Sequence, residues 1–212
     1  MARTPSIFGP SARLPRLRET ASASGAGKDV GSFSMRTQEL QFWCWAAVTQ
    51  AIEHHNGNRV SQAEVAGDHL GKICTNGHDD PSLAVCGDPC EGSCDGQHAL
   101  SKILDQRGRL NGGSRQDQPT FSFIQQEVAE DRPVPVRIRF KHRGGGQSGH
   151  FICVTGWRIG ANGEEFVRIH DPLWPGVNQG AANMQEMRFA VLLNNYELTG
   201  ENGDVNYYYP LK

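Results

Sequence analysis

The chain has 212 residues and a formal net charge of −2, which suits one globular domain, alone or with a tail, and disfavours nucleic acid as a partner. No apolar run approaches the length of a membrane span, so the sequence also disfavours a membrane protein. Charge is unevenly spread: residues 1–35 hold five Lys or Arg against two Asp or Glu, a balance of +3 that leaves −5 for the remainder.

Residues 1–35 form a tail of distinct composition. They are rich in Ser, Ala, Gly and Pro and poor in aromatic and β-branched residues, which predicts disorder, so we expect the folded domain to span residues 36–212. Arg13, Arg16 and Arg18 interrupt every apolar stretch that a secretory signal would need. The sequence therefore predicts a flexible terminus and disfavours export by the general pathway.

The first predicted helix covers residues 43–56 and begins at a cysteine between two tryptophans. Small and apolar side chains recur at the spacing of one helix face: Ala47, Val48, Ala51 and Ile52. Cys44, at the head of this helix, meets unpaired backbone N–H groups and the positive end of the helix dipole, which favour a thiolate over a thiol. We therefore predict that Cys44 is a nucleophile.

Two glutamines precede this cysteine and are candidates for an oxyanion hole. Gln38 lies six residues before Cys44, and its amide N–H can complete such a hole with the backbone N–H of Cys44. Gln41 is the competing candidate. Spacing alone leaves both open, with an exposed polar residue as the ordinary alternative.

Four further cysteines lie in a loop rich in Gly, Pro, Asp and Asn: Cys74, Cys86, Cys90 and Cys94. A loop of this composition needs a covalent or metal staple to hold it. Two disulfides, reduced thiols and a structural zinc on four thiolates remain open, and zinc is the least favoured because C-x3-C-x3-C departs from the usual zinc knuckle. Cys153 lies on a later strand and is expected in the core.

The remaining elements are predicted in an order that separates helices from strands. Ser61 and Glu64 form a capping box that opens a second helix toward Leu70. Two more helices are predicted over residues 98–107 and 122–131, and five strands over residues 134–140, 150–158, 164–171, 185–194 and 204–209. Helices segregated from an antiparallel sheet define an α+β fold.

A general base is predicted at His150, which follows GGGQSG and opens the strand-like run HFICVTGW. The next predicted strand ends at Asp171, and GANG between the two is good turn material. A hairpin about that turn places Asp171 opposite or almost opposite His150, where its carboxylate can orient the imidazole. His170 alternates to the other face and is the weaker candidate.

Several separated segments together resemble those of a known family. QELQFWCWAA, GGGQSGHFICVTGW and VRIHDPLWPG are similar to the active-site segments of bacterial papain-like cysteine peptidases, closest to the avirulence-type effector proteases. Staphopains and the peptidase domains of bacteriocin-exporting ABC transporters are more distantly similar. RPVPVRIRF resembles that group's strand ahead of the histidine, so the resemblance covers most of the chain from Arg36 onward.

This resemblance implies a papain-like fold, in which an N-terminal helical subdomain packs on a C-terminal antiparallel sheet with the active site in the cleft between them. It maps Cys44 to the nucleophile, His150 to the general base and Asp171 to the orienting residue. It also maps Gln38 to the oxyanion glutamine, while Trp174 resembles the tryptophan that shields the polar pair from water. The implied reaction is hydrolysis of peptide bonds in a protein substrate through a thioester, with no cofactor.

The resemblance also bears on the setting of the protein. It adds a second interpretation of residues 1–35, as a secretion signal or a self-removed propeptide. It indicates a monomeric bacterial effector or toxin, in the bacterial cytoplasm or secreted by a route that needs no signal peptide. Related acyl transfer, such as deamidation or transglutamination, and a catalytically inactive papain-like binding module remain open, and a zinc-stapled interaction module is the least favoured alternative.

Overall fold

The computed structural model describes residues 25–71, 73–74, 94–142, 144–173, 183–198 and 200–212. The helices in this part of the chain are α1 Cys44–His55, α2 Gln62–Leu70, α3 Leu100–Gln106, α4 Phe121–Ala129 and α5 Phe189–Asn194. The strands are β1 Gly27–Asp29, β2 Val134–Lys141, β3 Gln147–Ile159, β4 Glu165–Asp171, β5 Asn183–Arg188, β6 Tyr196–Leu198 and β7 Glu201–Tyr208. Four of these helices precede β2, which confirms the predicted α+β class.

The strands form one antiparallel sheet in the order β5-β4-β3-β2-β7-β6, with β1 added to β3. One edge of β3 pairs with β4. The other edge pairs with β2 as far as Val154 and then with β1 from Gly156 to Arg158. Gly156 permits this close approach of β1, because a Cβ at that position would collide with the carboxylate of Asp29.

Two apolar clusters fill the two faces of the sheet. Phe151 and Cys153 of β3 pack in a cluster with α1, α2 and α3, whereas Ile152 and Val154 pack in a cluster with α4 and α5. This division follows from the alternation of side chains along a strand. The sheet is therefore buried on both faces. In the first cluster, the N-terminal residues of α1 pack near Phe151 and Cys153 of β3.

Local signals in the sequence account for the helix ends. α2 begins after Ser61, whose hydroxyl accepts from the backbone N–H of Glu64 while the Glu64 side chain accepts from the backbone N–H of Ser61. It ends at Gly71, which adopts the left-handed conformation that glycine tolerates without strain. The predicted capping box is confirmed.

The fold begins earlier than the boundary predicted near residue 36. Residues 27–29 form β1, and the buried Val30 donates its N–H to the carbonyl oxygen of Thr155 at 2.7 Å. Composition alone indicated a tail here, because this short segment is ordered by its pairing with β3 and not by an apolar pattern of its own. The secretion signal or propeptide was considered for residues 1–35, and residues 1–24 of that range lie outside the described residues.

The strand predicted over residues 185–194 is wrong in its second half. β5 ends at Arg188, and α5 follows at once, with Phe189 and Leu192 buried one helical turn apart. A short apolar run of this kind is compatible with a strand or a helix. Here Phe189 and Leu192 pack in the apolar cluster of α4 and α5, which stabilises the helix. Among the described residues, each helix is too short or too polar to cross a bilayer.

An ion pair between Glu53 and Arg109 ties α1 to the segment after α3. Both guanidinium contacts measure 2.9 Å, and the Glu53 side chain is only 4% exposed. Arg109→Ala leaves this carboxylate buried without its charge partner, so we expect the free energy of unfolding to fall by about 2 kcal/mol. Chemical denaturation at pH 7 measures this loss.

Arg188→Ala is the matched control, since its side chain and that of its partner Glu164 are 60% and 36% exposed and the expected loss is below about 0.5 kcal/mol. The hydrogen bond from Arg109 lowers the pKa of Glu53, so the pair stabilises the fold above the ordinary glutamate pKa and its contribution fades as pH falls. Equal losses for the two variants would contradict this assignment.

Candidate active site

The nucleophile candidate Cys44 is the first residue of α1. Trp43 precedes it without a side-chain cap, and the first turn contains no acidic residue. The backbone N–H groups of this turn have no partner within the helix, and they lie at the positive end of the helix dipole. The thiol of Cys44, in a residue only 8% exposed, therefore lies beside these backbone N–H groups at the start of α1.

The head of α1 is held by a short segment at the C-terminal end of the cysteine-rich loop, residues 94–96. The indole N–H of Trp43 donates to the carbonyl oxygen of Cys94 at 2.8 Å, and that of Trp45 donates to Gly96 at 2.8 Å. The backbone N–H of Phe42 donates to the carboxylate of Asp95 at 2.8 Å. Three hydrogen bonds thus fix the residues on both sides of Cys44, and both indoles are fully buried.

A disulfide joins Cys74 to Cys94, whose carbonyl supports Trp43. Of the alternatives for the four clustered cysteines, the disulfide is confirmed for this pair, and a four-thiolate zinc site loses two of its ligands. Cys86 and Cys90 lie outside the described residues. Within the described ranges, no group of three or more His, Cys, Asp or Glu is placed to hold a metal ion.

The hairpin of β3 and β4 brings His150 and Asp171 together diagonally and not directly opposite each other. Its last pair before the turn is Ile159 with Glu165, so the turn is slightly longer than GANG alone. A bulge at Thr155 then shifts the register, and the final pair is Cys153 with His170. Continuing that register sets Asp171 across from the residue two positions after His150, on the same face of the sheet.

The side chains of His150 and Asp171 make the expected contact. His150 Nε2 lies 2.7 Å from Asp171 Oδ1, and both side chains are buried. The imidazole also interacts with the Cys44 side chain, and because Nε2 is occupied by Asp171, the nitrogen available to the thiol is Nδ1. The structure therefore brings together three predicted residues from α1, β3 and β4.

Electrostatics at this site favour a charged imidazole. Burial opposes a charge on His150, but the Asp171 carboxylate and then the Cys44 side chain outweigh it, so the pKa of His150 is raised above its ordinary value. Burial likewise opposes a charge on Asp171, but hydrogen bonds and the charge of His150 hold the pKa of Asp171 below its ordinary value. The pair is therefore stable as imidazolium and carboxylate.

Two neighbouring side chains are excluded from this chemistry. Burial, reinforced by the charge of Arg168, lowers the pKa of His170 to about 4, and its ring packs edge-on against Phe33. His170 pairs with Cys153 and shares its face of the sheet. His150 lies on the other face, as the sequence predicted. Burial raises the pKa of Cys153, so it stays a neutral core thiol.

The oxyanion candidate Gln38 is not free to donate in this conformation. Its amide nitrogen lies 3.0 Å from the carbonyl oxygen of Leu40 and 2.6 Å from that of Gln41, while its Oε1 is buried without a partner among the described residues. The backbone N–H of Gln38 donates to Pro172 at 3.0 Å, which links this segment to the residue after Asp171. Gln41 is exposed, and Trp174 lies outside the described residues.

Sequence reasoning missed Tyr196. Its hydroxyl donates to Asp171 Oδ2, and its side chain is fully buried. The residue lies at the start of β6, a strand of three residues that was not predicted. No pattern in the sequence pointed to it, because the contact depends on how α5 and β6 return the chain to the sheet.

A cysteine at a helix head that faces a histidine on an antiparallel sheet is the arrangement of a papain-like cysteine protease, and the chain is an enzyme of this class. The comparison with protein families is more particular. The model of the Peptidase_C39 like family matches residues 30–203, most of the chain, and the protein belongs to that family.

Other comparisons are more distant. Among solved structures, the bromelain protease from Ananas comosus in complex with the E64 inhibitor is similar over 87% of this chain and 97% of that one, with 14% sequence identity and a TM-score of 0.41. The search of curated proteins found no match. The assignment to a family therefore depends on the match over residues 30–203.

Proposed function

We propose that this protein hydrolyses peptide bonds in protein substrates, with Cys44 as nucleophile, His150 as general base and acid, and Asp171 as the residue that orients His150. One observation carries the proposal: a buried imidazole lies between a thiol at a helix head and a buried carboxylate, and interacts with both. This is the nucleophile, base and orienter arrangement of covalent acyl transfer.

The proposed reaction has two halves. The Cys44 thiolate forms a bond to the carbonyl carbon of the peptide, and the imidazolium of His150 gives its proton to the leaving amine as the C–N bond breaks. Water then attacks the thioester while His150 takes a proton from it, and the C–S bond breaks. The products are a new carboxyl group, a new amine and the original pair of thiolate and imidazolium.

We assign the oxyanion to the backbone N–H of Cys44 and the amide of Gln38. The first donor lies in the first turn of α1, where N–H groups lack intrahelical partners. The second must rotate away from the carbonyls of Leu40 and Gln41 when substrate binds. A buried Oε1 without a partner favours that rotation, because the present conformation leaves one polar atom unsatisfied.

Gln38→Ala is expected to lower kcat by on the order of 100-fold with little change in KM, since an oxyanion donor acts mainly in the transition state. Steady-state kinetics on a cleaved peptide measures the two constants. Gln41→Ala is the matched control and should stay within about twofold of wild type, because its side chain is exposed and its role is that of a surface residue. A loss with Gln41→Ala and none with Gln38→Ala would reverse the assignment.

The proposed function is tested by incubating the protein with a mixed peptide and protein library and reading the products by mass spectrometry. Hydrolysis gives pairs of new termini, whereas deamidation changes side-chain mass without cleavage, and transglutamination gives cross-links. New termini that appear with wild type and not with Cys44→Ala support the proposal. Deamidated or cross-linked products would replace peptide hydrolysis by the related acyl transfer, and no product from folded protein would favour a binding module.

We further propose that the enzyme acts as a monomer on a protein target, as an effector or toxin that is retained in the bacterial cytoplasm or exported without a signal peptide. The support is the similarity of QELQFWCWAA, GGGQSGHFICVTGW and VRIHDPLWPG to effector proteases. Under this proposal the export signal or a propeptide lies within residues 1–35, a segment with a net positive charge.

A further inference from the structure

The carboxylate of Asp171 is closed to solvent and bound on both oxygens. Oδ1 accepts from His150 at 2.7 Å and from the backbone N–H of Leu173 at 2.8 Å. Oδ2 accepts from the hydroxyl of Tyr196, its one hydrogen-bond donor among the described residues. A buried carboxylate needs such donors to remain ionised, because each unsatisfied lone pair adds to the cost of burying the charge.

The fold holds the Tyr196 ring in place. α5 ends at Asn194, the N–H of Asn195 donates to Val191 at 2.9 Å, and the chain then enters β6 with Tyr196 paired to Gly203 of β7. The ring is fully buried in the cluster under α4 and α5. Burial, together with the neighbouring carboxylate, raises the pKa of Tyr196, so its hydroxyl keeps the proton that it donates.

We propose that Tyr196 is a positioning residue of the active site: its hydroxyl holds Oδ2 of Asp171, so that the carboxylate stays ionised and its Oδ1 stays directed at His150. This inference rests on the proposed function, because it concerns the same site. Tyr196 contacts neither Cys44 nor a reacting atom in this arrangement, and it acts through Asp171. The hydroxyl, and not the ring, carries the effect.

This role of Tyr196 predicts how the reactivity of Cys44 depends on pH in the acid range. When Asp171 is protonated, the buried imidazole of His150 loses the anion that favours its charged form, and Cys44 loses the imidazolium beside it. The groups around Asp171 are the imidazole of His150 on β3, the hydroxyl of Tyr196 on β6 and the N–H of Leu173. On its own strand, Arg168 pairs with Asp29, and His170 lies on the opposite face. Removing the hydroxyl therefore raises the pH at which Asp171 becomes protonated.

The test is the rate at which iodoacetamide alkylates Cys44, measured against pH for wild type and Tyr196→Phe. We expect the acid limb of the profile to move up by about one pH unit, which is a rate about tenfold slower within that limb, with rates within about twofold on the plateau. Tyr209→Phe is the matched control, because this phenol is also buried and lies in the other cluster. An acid limb unchanged from wild type, or moved equally in both variants, would overturn the proposal.

A second substitution keeps the test decisive if Tyr196→Phe unfolds. A 3-fluorotyrosine inserted at position 196 keeps the ring and makes the hydroxyl a stronger donor, so the acid limb should move to lower pH, and no shift would overturn the proposal. Alkylation does not require peptide cleavage. A shifted limb in a protein that cleaves no peptide would therefore support the role of Tyr196 while the proposed function fails.

Discussion

Cys44→Ala is expected to lower kcat/KM for peptide cleavage by on the order of 10⁴-fold or more, because no covalent intermediate can form without the thiolate. Its side chain is small and lies at the head of α1, so the fold should persist. Steady-state kinetics on the best peptide from the library measures the loss, and circular dichroism checks the fold.

Cys153→Ala is the matched control for that prediction. Both cysteines are free and buried, yet Cys153 lies in the core of β3, where burial raises the pKa of its thiol. We expect kcat/KM of Cys153→Ala to stay within about twofold of wild type, because the substitution affects packing more than chemistry. Comparable activity in wild type and Cys44→Ala would remove Cys44 from the mechanism.

Asp171→Asn is expected to lower kcat/KM by on the order of 10³-fold and to move the alkaline limb of the pH profile to lower pH. The carboxylate raises the pKa of His150, so its loss lowers that pKa, and the imidazolium deprotonates at a lower pH. The amide of asparagine also changes the hydrogen bonds to Tyr196 and Leu173. Kinetics from acid to alkaline pH measure both effects.

Asp204→Asn is the control for charge removal on the sheet, since Asp204 pairs with Arg139 between β7 and β2, outside the candidate site. It should leave both limbs of the profile in place. An alkaline limb in Asp171→Asn at the wild-type pH, or one moved upward, would contradict the proposed role of the carboxylate.

Much of the site was predictable because its signals are local. Cys44 begins a helix whose apolar face is visible in the sequence, and Ser61 and Glu64 mark the next helix by a reciprocal cap. The contact between His150 and Asp171 follows from two strands and a glycine-containing turn. Its diagonal geometry was not predictable, since the bulge at Thr155 depends on neighbouring strands.

The features that were missed depend on tertiary structure. β1 has three residues, all exposed and none apolar, so only pairing with β3 defines it. The run from Phe189 fits a strand or a helix until its packing is known. Tyr196 reaches Asp171 from β6, and the amide of Gln38 turns to nearby carbonyls and not to Cys44. Spacing in the sequence carries no information about such contacts.

The central claim is that Cys44 is the reactive nucleophile of a papain-like peptidase. Its most direct test is to treat the native protein with an irreversible epoxide probe of papain-like enzymes and to locate the adduct by peptide mapping. We predict one adduct, on Cys44, which is absent from Cys44→Ala and slower to form in Asp171→Asn. Folded protein that stays unlabelled, or that carries the adduct on Cys153 or another residue in place of Cys44, would contradict the claim.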